Sequence, residues 1–252
     1  MSEDKFKNEN GYDIDGVWYP RVTRIVSIKA KPALYRFYAE QSSFAESERV
    51  KNRSTEEGTA VHEAVEGILT GRRISVSPAI APAVAAFEEF IKERGIHVEP
   101  EYVERRVAHG THRYAGTVDA VARIGGVLGV LDIKTSLSIF RDCNLQTAAY
   151  MEALKPEFPD LKTRWILRID QARACTRCGS SLRQKGGVHK VRTKARTLPC
   201  PGADHEWGPV KGHVELKEFH ELESDFHAFL AAKKLWEWEN VEMLKRVGYF
   251  LV

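Results

Sequence analysis

The chain of 252 residues is 43% hydrophobic and 29% charged, with four cysteines and a formal net charge of +3. That length accommodates one α/β domain with room for an insertion, and the apolar content supports an ordinary core. There is no run of eighteen apolar residues and no basic-then-apolar leader, which excludes membrane-spanning and exported classes and leaves the expectation of a soluble, cytoplasmic protein.

In chain order, residues 1–11 are polar and charged and read as a mobile start. Residues 12–19, with Asp15-Gly16 as a turn signal, predict a small hairpin. An aromatic helix is expected over 32–38, with Tyr35, Phe37 and Tyr38 packed into the core, the usual fate of such rings. Ser54-Thr-Glu-Glu57 matches a capping box, so a helix is expected over 54–70 with Gly71 as its stop. Val61, Val65 and Ile68 form its apolar stripe, and His62 stands at the edge of that stripe. Alone, His62 would be a satisfied half-buried histidine; beside an acidic centre it suits a metal or phosphate role. An alanine-rich helix over 78–94 closes at Gly95, and a strand over 96–108 carries Glu101 and Glu104.

The chain is organised around residues 114–150. Strand alternation puts Thr117, Asp119 and Val121 on one side and Val118, Ala120 and Ala122 on the other. Gly125-Gly126 supplies a tight reversal, and the returning run 127–131 ends in Asp132-Ile133-Lys134. Two carboxylates at the end of a buried hairpin repel each other and lose solvation unless a cation joins them. Hard oxygen ligands suit Mg²⁺ or Mn²⁺, and a nearby lysine can orient a water and offset negative charge developing on phosphorus. A helix over 144–154 then projects Gln146 and Tyr150 from one face, toward a nucleic-acid backbone or the metal site, with a core-facing tyrosine as the alternative. Cys143, just before it, is read as a small buried residue.

Together these residues resemble the catalytic core of the PD-(D/E)XK nuclease superfamily, with the spacing Asp-x12-Asp-x-Lys at Asp119, Asp132 and Lys134. Gln146-Thr-Ala-Ala-Tyr150 is similar to the Gln-x3-Tyr motif of its RecB-like exonuclease branch, and Gly58-Thr-Ala-Val-His62 is similar to that branch's helix-borne histidine. The resemblance covers about residues 19–150 and resumes at His213. It implies a restriction-endonuclease-like fold, a mixed central sheet flanked by helices. It also implies a metal-dependent deoxyribonuclease, an exonuclease acting on DNA ends, often single-stranded, in recombination, repair or phage replication. Asp119, Asp132 and the Ile133 carbonyl would bind Mg²⁺ or Mn²⁺, Lys134 would position the attacking water, and His62 would serve a second metal or a phosphate oxygen. The branch carries a glutamate shortly before its Gly-Thr-Val-Asp motif, which Glu104 matches better than Glu101; an exposed strand charge is the alternative. Gln146 and Tyr150 would hold the substrate strand.

Residues 162–169 and 213–219 read as paired strands that a short turn would ordinarily join. Here residues 172–212 intervene, dividing the chain into a core of 1–171 and 213–252 and an inserted subdomain. The insertion holds Cys175-x-x-Cys178 and Cys200-x4-His205, two knuckle-like pairs with the spacing of a zinc ribbon; His205 is the first choice of fourth ligand and His189 the second. A redox Cys-x-x-Cys lacks its usual surroundings, and the iron–sulfur cluster of some relatives needs an N-terminal cysteine absent here. The insertion carries nine Lys and Arg against two acidic residues, so it reads as a basic knob for phosphate backbones. A docking role toward another protein is the other use of such a knob. A last helix over 222–245 should cover one face of the sheet through Phe226, Phe229, Leu230 and Trp236, with Leu235 and Trp238 at its edge. The rival functional class is a non-catalytic nucleic-acid-binding module, in which the core only supports the zinc knob.

Overall fold

The structure, a computed structural model, describes residues 1–251. The elements are α1 (Glu3–Asn10), β1 (Gly11–Ile14), β2 (Val17–Pro20), α2 (Val22–Val26), α3 (Pro32–Glu40), α4 (Phe44–Leu69) and α5 (Ala81–Arg94). There follow β3 (Ile96–His109), β4 (Tyr114–Ile124), β5 (Val127–Lys134), α6 (Asp142–Leu154) and β6 (Leu161–Cys175). The chain continues with β7 (Ser181–Lys185), β8 (Val188–Arg192), β9 (Trp207–Phe219), α7 (Leu222–Glu239) and α8 (Val241–Arg246). Strands β3 to β9 form one mixed sheet flanked by helices, as expected of the fold class. β5 and β6 run parallel across the α6 connection, and the other pairings are antiparallel. No helix among the described residues is long and apolar enough to cross a membrane.

Two apolar clusters fill the two faces. On one, Val22, Tyr114, Val118, Tyr150, Phe229 and Trp236 pack together beneath α2, α6 and α7. On the other, Val61, Val65 and Phe87 of α4 and α5 meet Ala120, Leu131 and Leu167 of the sheet. The expected hairpins form: Gly125 and Gly126 both take positive φ, +56° and +83°, as a two-residue reversal requires. Asp15 and Gly16 do the same between β1 and β2.

Several expectations are corrected. The supposed mobile start is α1, capped by Ser2 and anchored by Phe6, which is fully buried against Trp18 and Trp236. One apolar residue in a polar segment suffices when a hydrophobic socket awaits it. The helix expected from residue 54 begins at Phe44, where Ser43 caps the Glu46 N–H at 3.1 Å; the downstream box lies inside the helix. The α3 aromatics are not core. This helix buries none of its residues, and Tyr35 is 61% exposed, because other helices already fill both faces of the sheet. Its rings pack on neighbours instead, Phe37 on Tyr38 and Tyr38 on Phe44. The last helix breaks at Asn240 into α7 and α8, and Trp238 stands 73% exposed rather than at the edge of the packing stripe.

One ion pair ties these layers together. Arg164 of β6, with no exposed surface, donates to Asp225 of α7 at 2.6 Å and to the Asn144 carbonyl of α6 at 2.8 Å. Removing one partner of a buried pair strands the other charge. Asp225→Ala is therefore expected to cost about 3–5 kcal/mol of unfolding free energy in urea denaturation. A loss below about 1 kcal/mol would mean that solvent reaches the guanidinium.

Candidate functional site

The site is built where β4 and β5 part. Their ladder runs from Ile124↔Val127 only to Ala120↔Leu131. Beyond it the Ile133 N–H points into the gap and is taken by the Asp119 carboxylate at 2.5 Å. The side-chain alternation of β4 changes phase at the same place. Val118 and Val121 belong to the cluster beneath α6, whereas Ala120 and Ala122 belong to the one beneath α4. The simple grouping of Asp119 with Val121 and of Val118 with Ala120 is thus corrected. Opposite this point β3 carries an irregularity between Val98 and Val103, which disrupts the ladder and adds local twist.

That irregularity also places Glu104. It lies between the pairs Val103↔Ala120 and Arg105↔Val118, directly across from Asp119, and has a left-handed backbone with φ +50°. A non-glycine residue there costs on the order of 1–3 kcal/mol, a strain concentrated at sites of function. From the other side α4 brings His62 one turn after Gly58, whose close approach to Thr135 leaves no room for a β-carbon: one would lie 2.8 Å from Thr135 Oγ1. One ligand atom each from His62, Glu104 and Asp119 lies within 4.8 Å of the others. These three residues, expected separately, converge.

Asp132 and Lys134 sit beside them. Asp132 is fully buried, with the Lys134 ammonium 2.6 Å from Oδ2 and the Gln146 amide donating to Oδ1 at 2.8 Å. Among the described residues Oδ2 has this ion pair but no well-directed hydrogen bond. Gln146 and Tyr150 share a helix face, with Gln146 half-buried and Tyr150 turned to the core. Tyr150 is 2% exposed, and Gln146 donates to its hydroxyl at 3.2 Å. Gly116 makes room for the ring, since a β-carbon there would lie 2.4 Å from it. The pair braces Asp132, and the tyrosine takes the core-facing alternative. Cys143 is buried, as expected.

The charges of the site are under tension. Burial raises the Asp132 carboxyl to about 6 despite Lys134, and the nearby Asp119 adds to the rise. Burial likewise raises Asp119, against the pull of Lys134 and the Ile133 N–H. Glu104, exposed at the cleft's rim with its carboxyl turned toward the site, rises to about 7 through partial desolvation first and then through Asp119, Glu66 and Asp132. Burial opposes the Lys134 charge, but the two aspartates outweigh it and hold the ammonium above its ordinary value. His62 is lowered by burial and by Lys134, so it is neutral at pH 7. The site thus has an excess of poorly solvated negative charge and a neutral imidazole, a donor set that a divalent cation would satisfy.

The insertion closes on its own ligands. Cys175, Cys178, Cys200 and His205 offer ligand atoms all within 4.8 Å of one another, a Cys₃His group that can bind zinc. His189 is elsewhere, paired with Gln184 at 2.8 Å, so the second-choice ligand is set aside. The insertion does not begin at residue 172, however. β6 and β9 stay paired as far as Cys175↔Trp207, so the ribbon grows out of the sheet's own hairpin. Nor are its basic residues all free. Arg183 donates to Asp170 at 2.7 Å and to the Thr135 carbonyl at 3.0 Å, and Lys185 donates to that same carbonyl at 2.5 Å. Both line a cleft of about 610 Å³ together with His62, Glu104, Ile133 and Lys134. Neither was legible as a site residue, because only their membership of a basic stretch marked them.

Two outcomes test this description. Elemental analysis is expected to find about one zinc per chain, lost in His205→Ala and kept in His189→Ala; zinc kept in both would remove His205 from the ligand set. The Glu104 shift fixes the sign of a pH effect. Its folded-state value exceeds the unfolded one, so its ionisation penalises the fold as pH rises through about 7. Glu104→Gln should therefore stabilise the metal-free protein at pH 8 and do so less at pH 5.5, read by urea denaturation. Equal effects at both values would show that Glu104 is solvated.

No family model and no curated protein matches the chain. Among solved structures, that of SSO0001 is similar at a TM-score of 0.35 and 15% identity, covering 86% of this chain and 73% of that one. A likeness of that strength supports no functional argument.

Proposed function

We propose that the protein is a divalent-metal-dependent phosphodiester hydrolase acting on DNA, built on the restriction-endonuclease-like core of the PD-(D/E)XK nucleases, with structural zinc in its ribbon. The observation that carries this reading is the parting of β4 and β5, which gathers Asp119, Glu104 and His62 beside the buried Asp132–Lys134 pair. Mg²⁺ or Mn²⁺ would be held by Asp119 and Asp132, with Glu104 and His62 completing the set; the convergence of His62, Glu104 and Asp119 and the raised carboxylates fit such an ion, with Asp132 beside them in its ion pair to Lys134. When bound, the cation supplies Lewis acidity to a phosphate oxygen and favours ionisation of a water.

The chain's own groups do the rest. Lys134, whose ammonium the two aspartates hold above its ordinary value, is placed to orient the attacking water and to donate to charge developing on phosphorus. His62, lowered by burial and by Lys134, offers a lone pair to a cation on one ring nitrogen and an N–H to a phosphate oxygen on the other. Gln146, backed by Tyr150, fixes the Asp132 carboxylate. The Ile133 N–H fixes Asp119 in the same way. A positioned carboxylate needs no reorganisation as the reaction proceeds.

The test is cleavage of labelled single- and double-stranded DNA, and of RNA of the same sequence, with Mg²⁺, with Mn²⁺ or with a chelator. Metal-dependent DNA cleavage is expected. Asp132→Asn and Lys134→Met should each reduce it by on the order of 10²–10³-fold while the fold is retained. DNA binding without cleavage under every metal would make the protein a non-catalytic binding module, and cleavage of RNA alone would change the substrate class.

A further inference from the structure

The ribbon's hairpin has a position that the sheet assigns to it. β5 occupies one edge of β6 up to Lys134↔Arg168, and β9 occupies the other edge through Arg173↔Val210. β7 pairs with β6 at Arg173↔Leu182 and Ala174↔Ser181. A strand has two edges, so β7 takes the one that β5 leaves, end-on to the Asp-Ile-Lys segment. The β7–β8 turn then rests on α4. The Gly186 N–H donates to Glu57 at 3.0 Å, and a β-carbon at Gly186 would lie 2.5 Å from the Val50 carbonyl. Gly186 and Gly187 have φ of +63° and +80°, so the turn and the close approach both demand glycine.

Lys185, the last residue before this turn, is thereby carried into the cleft. Its ammonium donates to the Thr135 carbonyl and has no carboxylate partner among the described residues. Arg183, by contrast, is neutralised by Asp170, which also pairs with Arg168. A half-buried lysine held by one carbonyl keeps two donors for an anion. Burial, with Arg183 adding to the effect, pulls it down to about 8, so it is mostly charged at pH 7 and ready to gain from a negative partner.

Little apolar packing holds the hairpin there. Every residue of β8 is exposed, and Leu182 is the one buried residue of β7. Without a core, ordering such a ribbon depends on its cross-links, here the Cys₃His group and the α4 contact. Resting on the nuclease reading, we propose that the zinc ribbon is a phosphate clamp for the active cleft: it delivers Lys185, positioned by Arg183 and Thr135, to bind a phosphate of the DNA strand beside the metal centre. Zinc binding and substrate binding are therefore linked, although their sites are distinct.

The decisive experiment measures binding of a labelled oligonucleotide without added Mg²⁺ or Mn²⁺, so that it reads the clamp whether or not the protein cleaves DNA. Lys185→Met, which keeps the aliphatic stem, should weaken binding by about tenfold and reduce the log–log salt slope by about one, as the loss of one phosphate contact requires. Lys185→Arg should restore most of both. Zinc content should stay at the wild-type level in Lys185→Met, showing an intact ribbon. Cys178→Ser, which opens the zinc site, should reproduce the binding defect. Lys162→Met, at the far end of β6, serves as the control for general charge loss. In cleavage, the Lys185→Met defect should fall on KM more than on kcat. Binding by Lys185→Met equal to wild type, a defect matched by Lys162→Met, or wild-type binding by Cys178→Ser would each overturn the clamp. A protein that never cleaves but loses binding in Lys185→Met would retain the clamp while the nuclease reading fails.

Discussion

A carboxylate with no exposed surface at the end of a central strand is the constraint to which the rest of the site answers. Asp132 carries a charge that burial and the neighbouring Asp119 disfavour, and what makes that charge tolerable is the Lys134 ammonium and the Gln146 amide. The bracing extends further back. Tyr150 fills the space that Gly116 leaves and holds Gln146 in place, so a glycine in β4 and a tyrosine in α6 act on a carboxylate that neither touches. Buried polar networks of this kind are stable only when nearly complete. Asp132 Oδ2 meets this condition only through the Lys134 ion pair, with no well-directed hydrogen bond among the described residues.

The same end of the sheet explains the ribbon. In a parallel pair joined through a helix, the shorter strand leaves part of its neighbour's edge unpaired, and an open edge invites another strand. β5 stops at Lys134 while β6 continues to Cys175, and β7 covers the exposed length. What began as a long loop in a hairpin thus becomes a wall of the cleft. This arrangement accounts for the two basic residues that turn inward, while others of the ribbon stay in solvent, where they contribute a diffuse positive field.

Strain and flexibility are divided unevenly across the fold. Both sheet faces are well packed, and the buried Arg164–Asp225 pair ties α7 and α6 to β6. The left-handed Glu104 and the break in the β3–β4 ladder sit on this rigid base, which is what allows an unfavourable backbone to persist. The exposed helix α3 and the coreless β8 lie outside it and rely on local contacts.

What the sequence determined by itself was whatever depends on covalent spacing and short-range period. Gly125-Gly126 dictates the reversal, and through it the neighbourhood of Asp119 and Asp132 follows from counting residues. The four ribbon ligands are legible for the same reason, since each pair is held close along the chain. Gln146 and Tyr150 share a face because they are four residues apart on a helix, but whether that face meets solvent or core is decided by what packs on it. Only the tertiary structure brought Glu104 across from Asp119, because a strand irregularity depends on its pairing partner. It alone anchored α1 through Phe6, because a socket made of distant residues leaves no local pattern. Lys185 is the clearest case: its place in the cleft follows from the edge that β5 leaves vacant, and that depends on the relative lengths of two strands paired in space.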